Sequence, residues 1–173
     1  MAIIQPLLQE LEYEAQTTRR VLERVPEEHM GWKPHPKSYS LGQLALHVAQ
    51  LPGGVAELAM TSPAAPPAFV QAQARTSAEL ITALDQSVAK ATSLLSGLDD
   101  EAATSMWRLV SGDRELLAMP RVALLRAIML NHWYHHRGQL TVYLRQLNVP
   151  VPSVYGPSAD ENPFAAALAQ QTA

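Results

Sequence analysis

The chain has 173 residues, of which 47% are hydrophobic and 17% charged, and its formal net charge is -3. These values predict one folded domain, residues 1–173, and the scattered lysines and arginines argue against a nucleic-acid partner. The sequence has no cysteine, so a metal would need nitrogen or oxygen ligands, and thiol chemistry would need the thiol of a co-substrate.

The first predicted element is an amphipathic helix. Its apolar stripe, at spacings of three and four residues, consists of Ile4, Leu8, Leu11, Ala15, Thr18, Leu22 and Val25. Glu, Gln and Arg residues are expected on the outer face, and Pro26 is expected to end the helix. Residues 32–38 contain two prolines, which remove backbone donors and restrict their neighbours, so this segment is predicted to be a connecting loop.

Two further helices are predicted in the middle of the chain. Ser40 and Gln43 match a capping box before a helix over residues 41–60, whose glycines and proline at 52–54 are expected to kink or loosen it. A connection rich in Pro and Ala follows at 62–68. The third helix is predicted after a Ser77 cap. Its stripe consists of Ile81, Leu84, Val88, Ala91, Leu95 and Leu98.

The last third of the chain combines a predicted hairpin with a long helix. Residues 107–110 and 115–118 flank a turn at 111–113 that contains glycine, which is typical of a short hairpin. Pro120 suits the first turn of the fourth helix. The inward stripe of this helix consists of Leu124, Leu125, Ile128, Met129, His132, His136, Gln139 or Leu140, Tyr143, Leu144 and Leu147. Four long amphipathic helices imply an all-α four-helix bundle, with the tail after Pro150 packed over an end or edge.

The sequence also carries information on location. No apolar run reaches the roughly 18 residues that would span a bilayer, so no membrane segment is expected. Residues 1–6 lack the basic and apolar regions of a secretory signal, which favours a cytoplasmic protein. The expected partner is therefore a small-molecule substrate.

Three histidines occupy stripes that should face the core. His132 and His136 are one helical turn apart on the same face, and His47 lies between Leu44 and Leu51 on the stripe of the second helix. Burying imidazoles without partners is costly, and one metal ion can satisfy several of them at once. Three protein ligands would leave a coordination position open, as in catalytic zinc sites.

Other assignments for these side chains stay open at this point. Each histidine could instead be a core residue that is hydrogen-bonded to the backbone or to another histidine. His135 is also one turn from His132, and spacing alone does not separate it from His136. His29 and His35 border the Pro-rich loop and are expected to be exposed.

Residues near the histidines on the last helix carry further expectations. Arg137 and Gln139 could orient a substrate or a ligand. The favoured expectation is that Arg137 points outward and that Gln139 satisfies a neighbour at the edge of the stripe. Trp133 and Tyr134 are expected to lie off the inward stripe, where a dimer interface and a capped or buried surface would explain them equally well.

Several segments together resemble one family. The stretch NHWYHHRGQL at 131–140 resembles the signature helix of DinB-like proteins, the DinB/YfiT-like metal-binding superfamily of damage-inducible proteins. Matching segments in the same order lie at 25–26, 32–38, 41–49, 143–145 and 155–161. The resemblance implies a bundle of up-down-down-up order, frequent dimers, and a nickel or zinc site at His47, His132 and His136. Trp133 stands where other branches carry an acid, which puts a carboxylate role there in doubt.

The resemblance also implies an activity. Relatives include metal-dependent transferases that join low-molecular-weight thiols to electrophiles, so the leading hypothesis is a stress-related thiol S-transferase-like enzyme. One alternative is metal-assisted hydrolysis with Asp160 or Glu161 as the base. A non-enzymatic alternative is a metal-binding stress protein without turnover. Catalytic and substrate-binding residues are not assigned by the sequence.

Overall fold

The computed structural model describes residues 2–68 and 72–165, and this part of the chain is mostly helical. Its helices and strands are α1 Gln5–Leu22, α2 Leu41–Met60, α3 Ser77–Ser96, α4 Asp100–Thr104, β1 Met106–Ser111, β2 Arg114–Pro120, α5 Arg121–Leu124 and α6 His132–Gln146. A short 3-10 turn, Glu27–His29, follows α1, and a π-helical segment, Leu125–Asn131, joins α5 to α6. None of the described helices is long and apolar enough to cross a membrane.

The hydrophobic core lies between the long helices. Helix α2 packs against α3 on one side and against α6 and the π-helical segment on the other, while α1 packs mainly against α3. Large side chains that are fully buried in this core include Leu11, Leu44, Leu84, Trp107 and Trp133. Because α2 packs against other helices on two sides, a residue on the side that faces α6, such as His47, lies close to elements that are distant in sequence.

The predicted capping box and hairpin are both confirmed. The Ser40 side chain accepts the backbone N–H of Gln43, and the Gln43 side chain accepts the N–H of Ser40 in return. Strands β1 and β2 pair antiparallel, and Gly112 in their turn has a φ of 57°, a conformation that suits glycine. The Trp107 indole donates to the carbonyl of Thr61 at 2.8 Å, which fixes the hairpin to the end of α2.

The proline within α2 does not interrupt the helix, which runs unbroken from Leu41 to Met60. Pro52 has no N–H for the carbonyl of Val48, four residues earlier, but the Trp133 indole donates to that carbonyl at 2.8 Å. The N–H of Gly53 donates to Ser87 Oγ at 2.8 Å. A Cβ on Gly53 would lie 2.8 Å from the Ser87 backbone, so this glycine permits the close approach of α3. The helix continues through the proline, and neighbouring helices supply partners for the Val48 carbonyl and the Gly53 N–H.

Trp133 distinguishes between the two explanations of its place off the inward stripe. Its side chain is completely buried in the core, as the buried-surface alternative predicts, and Tyr134 is partly buried beside it. The last helix is packed on more than one face, so a single apolar stripe does not include every residue that this helix buries. Trp133 is therefore unavailable to an interface between two copies.

Two charged residues predicted to face solvent are also buried. Arg137 is 1% exposed and Glu14 is 5% exposed, and they form an ion pair at 2.6 Å. Arg137 also donates to Thr18 Oγ1 at 3.0 Å and to the hydroxyl of Tyr155, which in turn donates to Glu14. This network joins α1, α6 and the tail. Sequence periodicity treats charged residues as outward because it contains no information on a partner across the core.

Smaller differences concern helix starts. The α3 N-cap is Thr76, which accepts the N–H of Glu79, whereas Ser77 is the first helical residue and donates to Glu27. Pro120 ends β2, and the following helix begins one residue later. Both predictions are off by a single residue, which is the usual uncertainty at a helix boundary.

Candidate metal centre

Three histidines from two helices meet between α2 and α6. His47 comes from the middle of α2, and His132 and His136 come from the first two turns of α6. One ring nitrogen from each lies within 4.8 Å of the others. The His47 ring is 4.6 Å from that of His136 and 5.5 Å from that of His132, measured between centroids. Within residues 2–68 and 72–165, no other group of three histidine or acidic side chains converges in this way.

Hydrogen bonds hold two of these rings in a defined orientation. His136 Nδ1 donates to Gln139 Oε1 at 2.8 Å, so its Nε2 faces the cluster. His132 is hydrogen-bonded to the backbone of Ile128, within the π-helical segment, and its Nε2 lies 2.7 Å from that of His136. Partners of this kind fix the tautomer and the angle of histidine ligands in metal sites. The expectation that Gln139 satisfies a neighbour is confirmed.

The local backbone is unusual where the histidine pair begins. The π-helical segment ends at Asn131, directly before His132. Wider turns of this type occur frequently at functional sites, where they change the direction of the side chains that follow. No signal in the sequence predicted this segment, because its residues are apolar and suit an ordinary helix equally well.

The surroundings of the three rings favour their neutral form. Burial, with smaller contributions from the neighbouring His136 and His132, lowers the pKa of His47 to about 4. Burial also lowers the pKa values of His132 and His136, although hydrogen bonds with Ile128 and Gln139 oppose the effect. Only a neutral imidazole has the free electron pair that a metal needs. The donor set is therefore neutral near pH 7, and the cluster could hold a metal ion.

The other histidines lie outside this cluster. The ring of His135 is 5.0 Å from that of His136, but its side chain is exposed and is not part of the converging group. His29 and His35 are exposed near the loop before α2, as expected. The geometry thus separates His136 from His135, which spacing alone left unresolved.

The acidic residues of the tail form ion pairs with arginine side chains. Asp160 pairs with Arg145 and accepts the N–H of Val151 at 2.8 Å, while Glu161 pairs with Arg20. The Arg145 guanidinium is the main reason that the pKa of Asp160 is lowered. Neither acid belongs to the converging group. Neither acid is among the residues that line the cleft beside His136, so the geometry gives no support to either as a hydrolytic base.

A cleft adjoins the cluster. Its volume is about 510 Å³, and His136 and Gln139 form part of its wall together with Tyr143 of α6. Lys33 and Lys37, from the loop before α2, also line the cleft. From its sequence this segment is predicted only as a connecting loop. The available signal was that two of the chain's three lysines lie in one short Pro-rich segment.

The fold and the cluster together define a mostly helical protein with three converging imidazoles beside an accessible cleft. The DinB family model matches residues 3–167, and the chain belongs to the DinB family. The Bacillus subtilis (strain 168) protein YrdA, itself uncharacterised, is 26% identical over 159 residues, covering 89% of each chain.

Solved structures agree in fold. A DinB-like protein from Bacillus cereus ATCC 10987 has a TM-score of 0.68 at 23% identity, covering 86% of this chain and 95% of its own. A DinB-like protein from Bacillus subtilis has a TM-score of 0.61 at 18% identity, covering 83% of this chain and 93% of its own. At these identities the likeness establishes the fold.

Proposed function

We propose that His47, His132 and His136 hold one divalent metal ion, zinc or nickel, with at least one coordination position open to the cleft. The observation that carries this proposal is the convergence of the three ring nitrogens within 4.8 Å. Imidazole nitrogen suits both metals, and three protein ligands without a fourth are typical of catalytic centres.

The reaction that we propose is transfer of a low-molecular-weight thiol to an electrophile. A divalent metal at this site would supply the Lewis acidity that favours the thiolate of a bound thiol at neutral pH. The sulfur then bonds to the electrophilic carbon, the leaving group departs with the electron pair of its broken bond, and the thiol proton passes to solvent. The protein has no cysteine of its own, which is consistent with a thiol that arrives as a co-substrate.

The chain's own residues position the reactants. Gln139 holds the His136 ring with Nε2 toward the other histidines, and the contact with Ile128 helps to hold the His132 ring with its Nε2 2.7 Å from that of His136. The cleft of 510 Å³ has room for a small thiol and an electrophile beside these rings. No acidic side chain is needed as a base, because a thiol whose pKa is lowered is already ionised near pH 7.

Conjugation to a bimane electrophile tests this proposal. Protein loaded with zinc or nickel is incubated with glutathione, bacillithiol or mycothiol, and the fluorescence of the conjugate is followed. We expect at least one thiol to react faster with loaded protein than with metal-free protein, and His136→Ala to abolish the difference. His135→Ala is the matched control, since it removes an exposed imidazole one residue away. Stoichiometric metal without any acceleration would instead support the non-catalytic metal-binding protein.

Four broader expectations from the sequence analysis remain proposals. The long helices are proposed to form a four-helix bundle of up-down-down-up order, supported by the packing of α2 between α3 and α6. The protein is proposed to be a cytoplasmic stress-response homodimer. Size-exclusion chromatography with light scattering tests the assembly, and a mass equal to one chain would contradict it.

A further inference from the structure

The cleft beside the histidines carries an uneven charge. Its lining includes Lys33 and Lys37, and none of the described lining residues is acidic. A histidine side chain is neutral or positive, so His136 in the wall adds no negative charge. The charged side chains that line the cleft are therefore positive, with or without a metal ion.

Neither Lys33 nor Lys37 pairs with an acidic side chain in the part of the chain that the structure describes. By contrast, the chain's third lysine, Lys90, pairs with Glu57 at 2.6 Å. Unpaired positive charges that line a concave surface concentrate anions there.

The loop that carries the lysines is well anchored. The N–H of Leu41 donates to the Trp32 carbonyl at 2.9 Å, and the N–H of Ser38 donates to the His35 carbonyl at 2.9 Å. The Trp32 ring packs edge-on against Tyr143 of α6, with 5.5 Å between centroids. Two prolines restrict the backbone between these points. The lysines are thus presented to the cleft by an ordered segment tied to both α2 and α6.

We propose that this cleft binds a small anionic molecule, whose carboxylate or phosphate is held by Lys33 and Lys37 while its other end reaches the three histidines. The inference rests on the proposed function and names its substrate class. A thiol that carries a carboxylate is selected over a neutral thiol of the same length, because only the former gains the two ion pairs.

Binding of matched thiols tests the inference. Protein loaded with cobalt(II), whose thiolate absorption reports sulfur binding, is titrated with mercaptopropionate and with mercaptopropanol, which replaces the carboxylate by a hydroxymethyl group. Two exposed ion pairs predict that mercaptopropionate binds about fivefold more tightly. The Lys33→Gln/Lys37→Gln variant should lose this preference, whereas Lys90→Gln should keep it. Raising the salt concentration should weaken the preference in wild type.

A second titration uses no thiol and therefore does not depend on the proposed reaction. Succinate and inorganic phosphate are titrated by calorimetry into wild type and both lysine variants, and the tighter of the two identifies the preferred anion. We expect the double variant to bind that anion about fivefold more weakly. Lys90→Gln should match wild type.

The outcomes separate the two proposals. Equal binding of both thiols to wild type would overturn the anionic subsite and leave the proposed function intact. Absence of thiolate absorption with either thiol would overturn the proposed function, and the calorimetric titration would then decide the subsite alone. Anion binding that is equal in wild type and the double variant would overturn the subsite.

Discussion

The indole nitrogen of Trp133 lies 2.8 Å from the carbonyl oxygen of Val48, linking α6 to α2 one residue away from two of the histidines. That carbonyl needs a partner from another element because Pro52 removes the usual helical donor. The contact is buried, so it holds His47 and His132 on their two helices in a fixed relation.

The first prediction concerns this contact. Trp133→Phe should lower the free energy of unfolding by about 2–4 kcal/mol, since it leaves a buried carbonyl unsatisfied and opens a small cavity. In a Pro52→Ala background the same change should cost about 1 kcal/mol less, because the introduced alanine supplies the helical N–H. Urea unfolding of the metal-free wild type, the two single variants and the double variant measures this double-mutant cycle. Equal costs in both backgrounds would show that the hydrogen bond does not replace the missing donor.

A second prediction concerns the buried ion pair. Arg137→Met leaves Glu14 buried without its cationic partner and should lower the free energy of unfolding by about 3–5 kcal/mol. Adding Glu14→Leu should recover part of that loss, because neither charge then remains buried. Urea unfolding of both variants provides the measurement. Arg126→Met, which breaks an exposed pair with Glu10, is the control and should cost about 1 kcal/mol or less. A double variant less stable than Arg137→Met would contradict the argument.

A third prediction addresses metal binding. His47→Ala and His136→Ala should both lose stoichiometric metal, whereas His135→Ala should retain it, as measured by elemental analysis of untagged protein. Gln139→Ala should weaken metal affinity by about 10- to 100-fold, because it removes the partner that orients His136. Stoichiometric metal in either ligand variant would refute the assigned ligand set.

The fourth prediction is a dependence on pH. The pKa of His47 is lowered from 6.5 to about 4 in the folded protein, so between these values the unfolded chain binds more protons than the folded chain. The free energy of unfolding of metal-free protein should therefore fall as pH decreases through this window. His47→Gln should reduce that slope, which urea midpoints at several pH values would show. Identical slopes in both proteins would indicate that His47 is not held neutral by folding.

How much of the candidate site could be predicted depends on whether the position of each residue follows from local spacing or from tertiary packing. His132 and His136 share a helix, so their spacing alone predicts that they share a face. His47 is far away in the chain, but its position on an apolar stripe predicts that it is inward. Spacing alone left His135 and His136 open, and the family resemblance implied His136. The angular position of α6, which follows the π-helical segment, brings His136 and not His135 into the converging group.

The sequence by itself determined the helices, the capping box, the hairpin and the inward histidines, because each depends on local spacing and on burial of apolar residues. Only the tertiary structure decided that Trp133, Arg137 and Glu14 are buried and that Lys33 and Lys37 line the cleft. Those outcomes depend on partners that lie far away in the chain. A carbonyl that lacks its helical donor because of a proline, or a carboxylate across the core, can stabilise a polar side chain in a buried position. Local sequence patterns contain no information on such a distant partner.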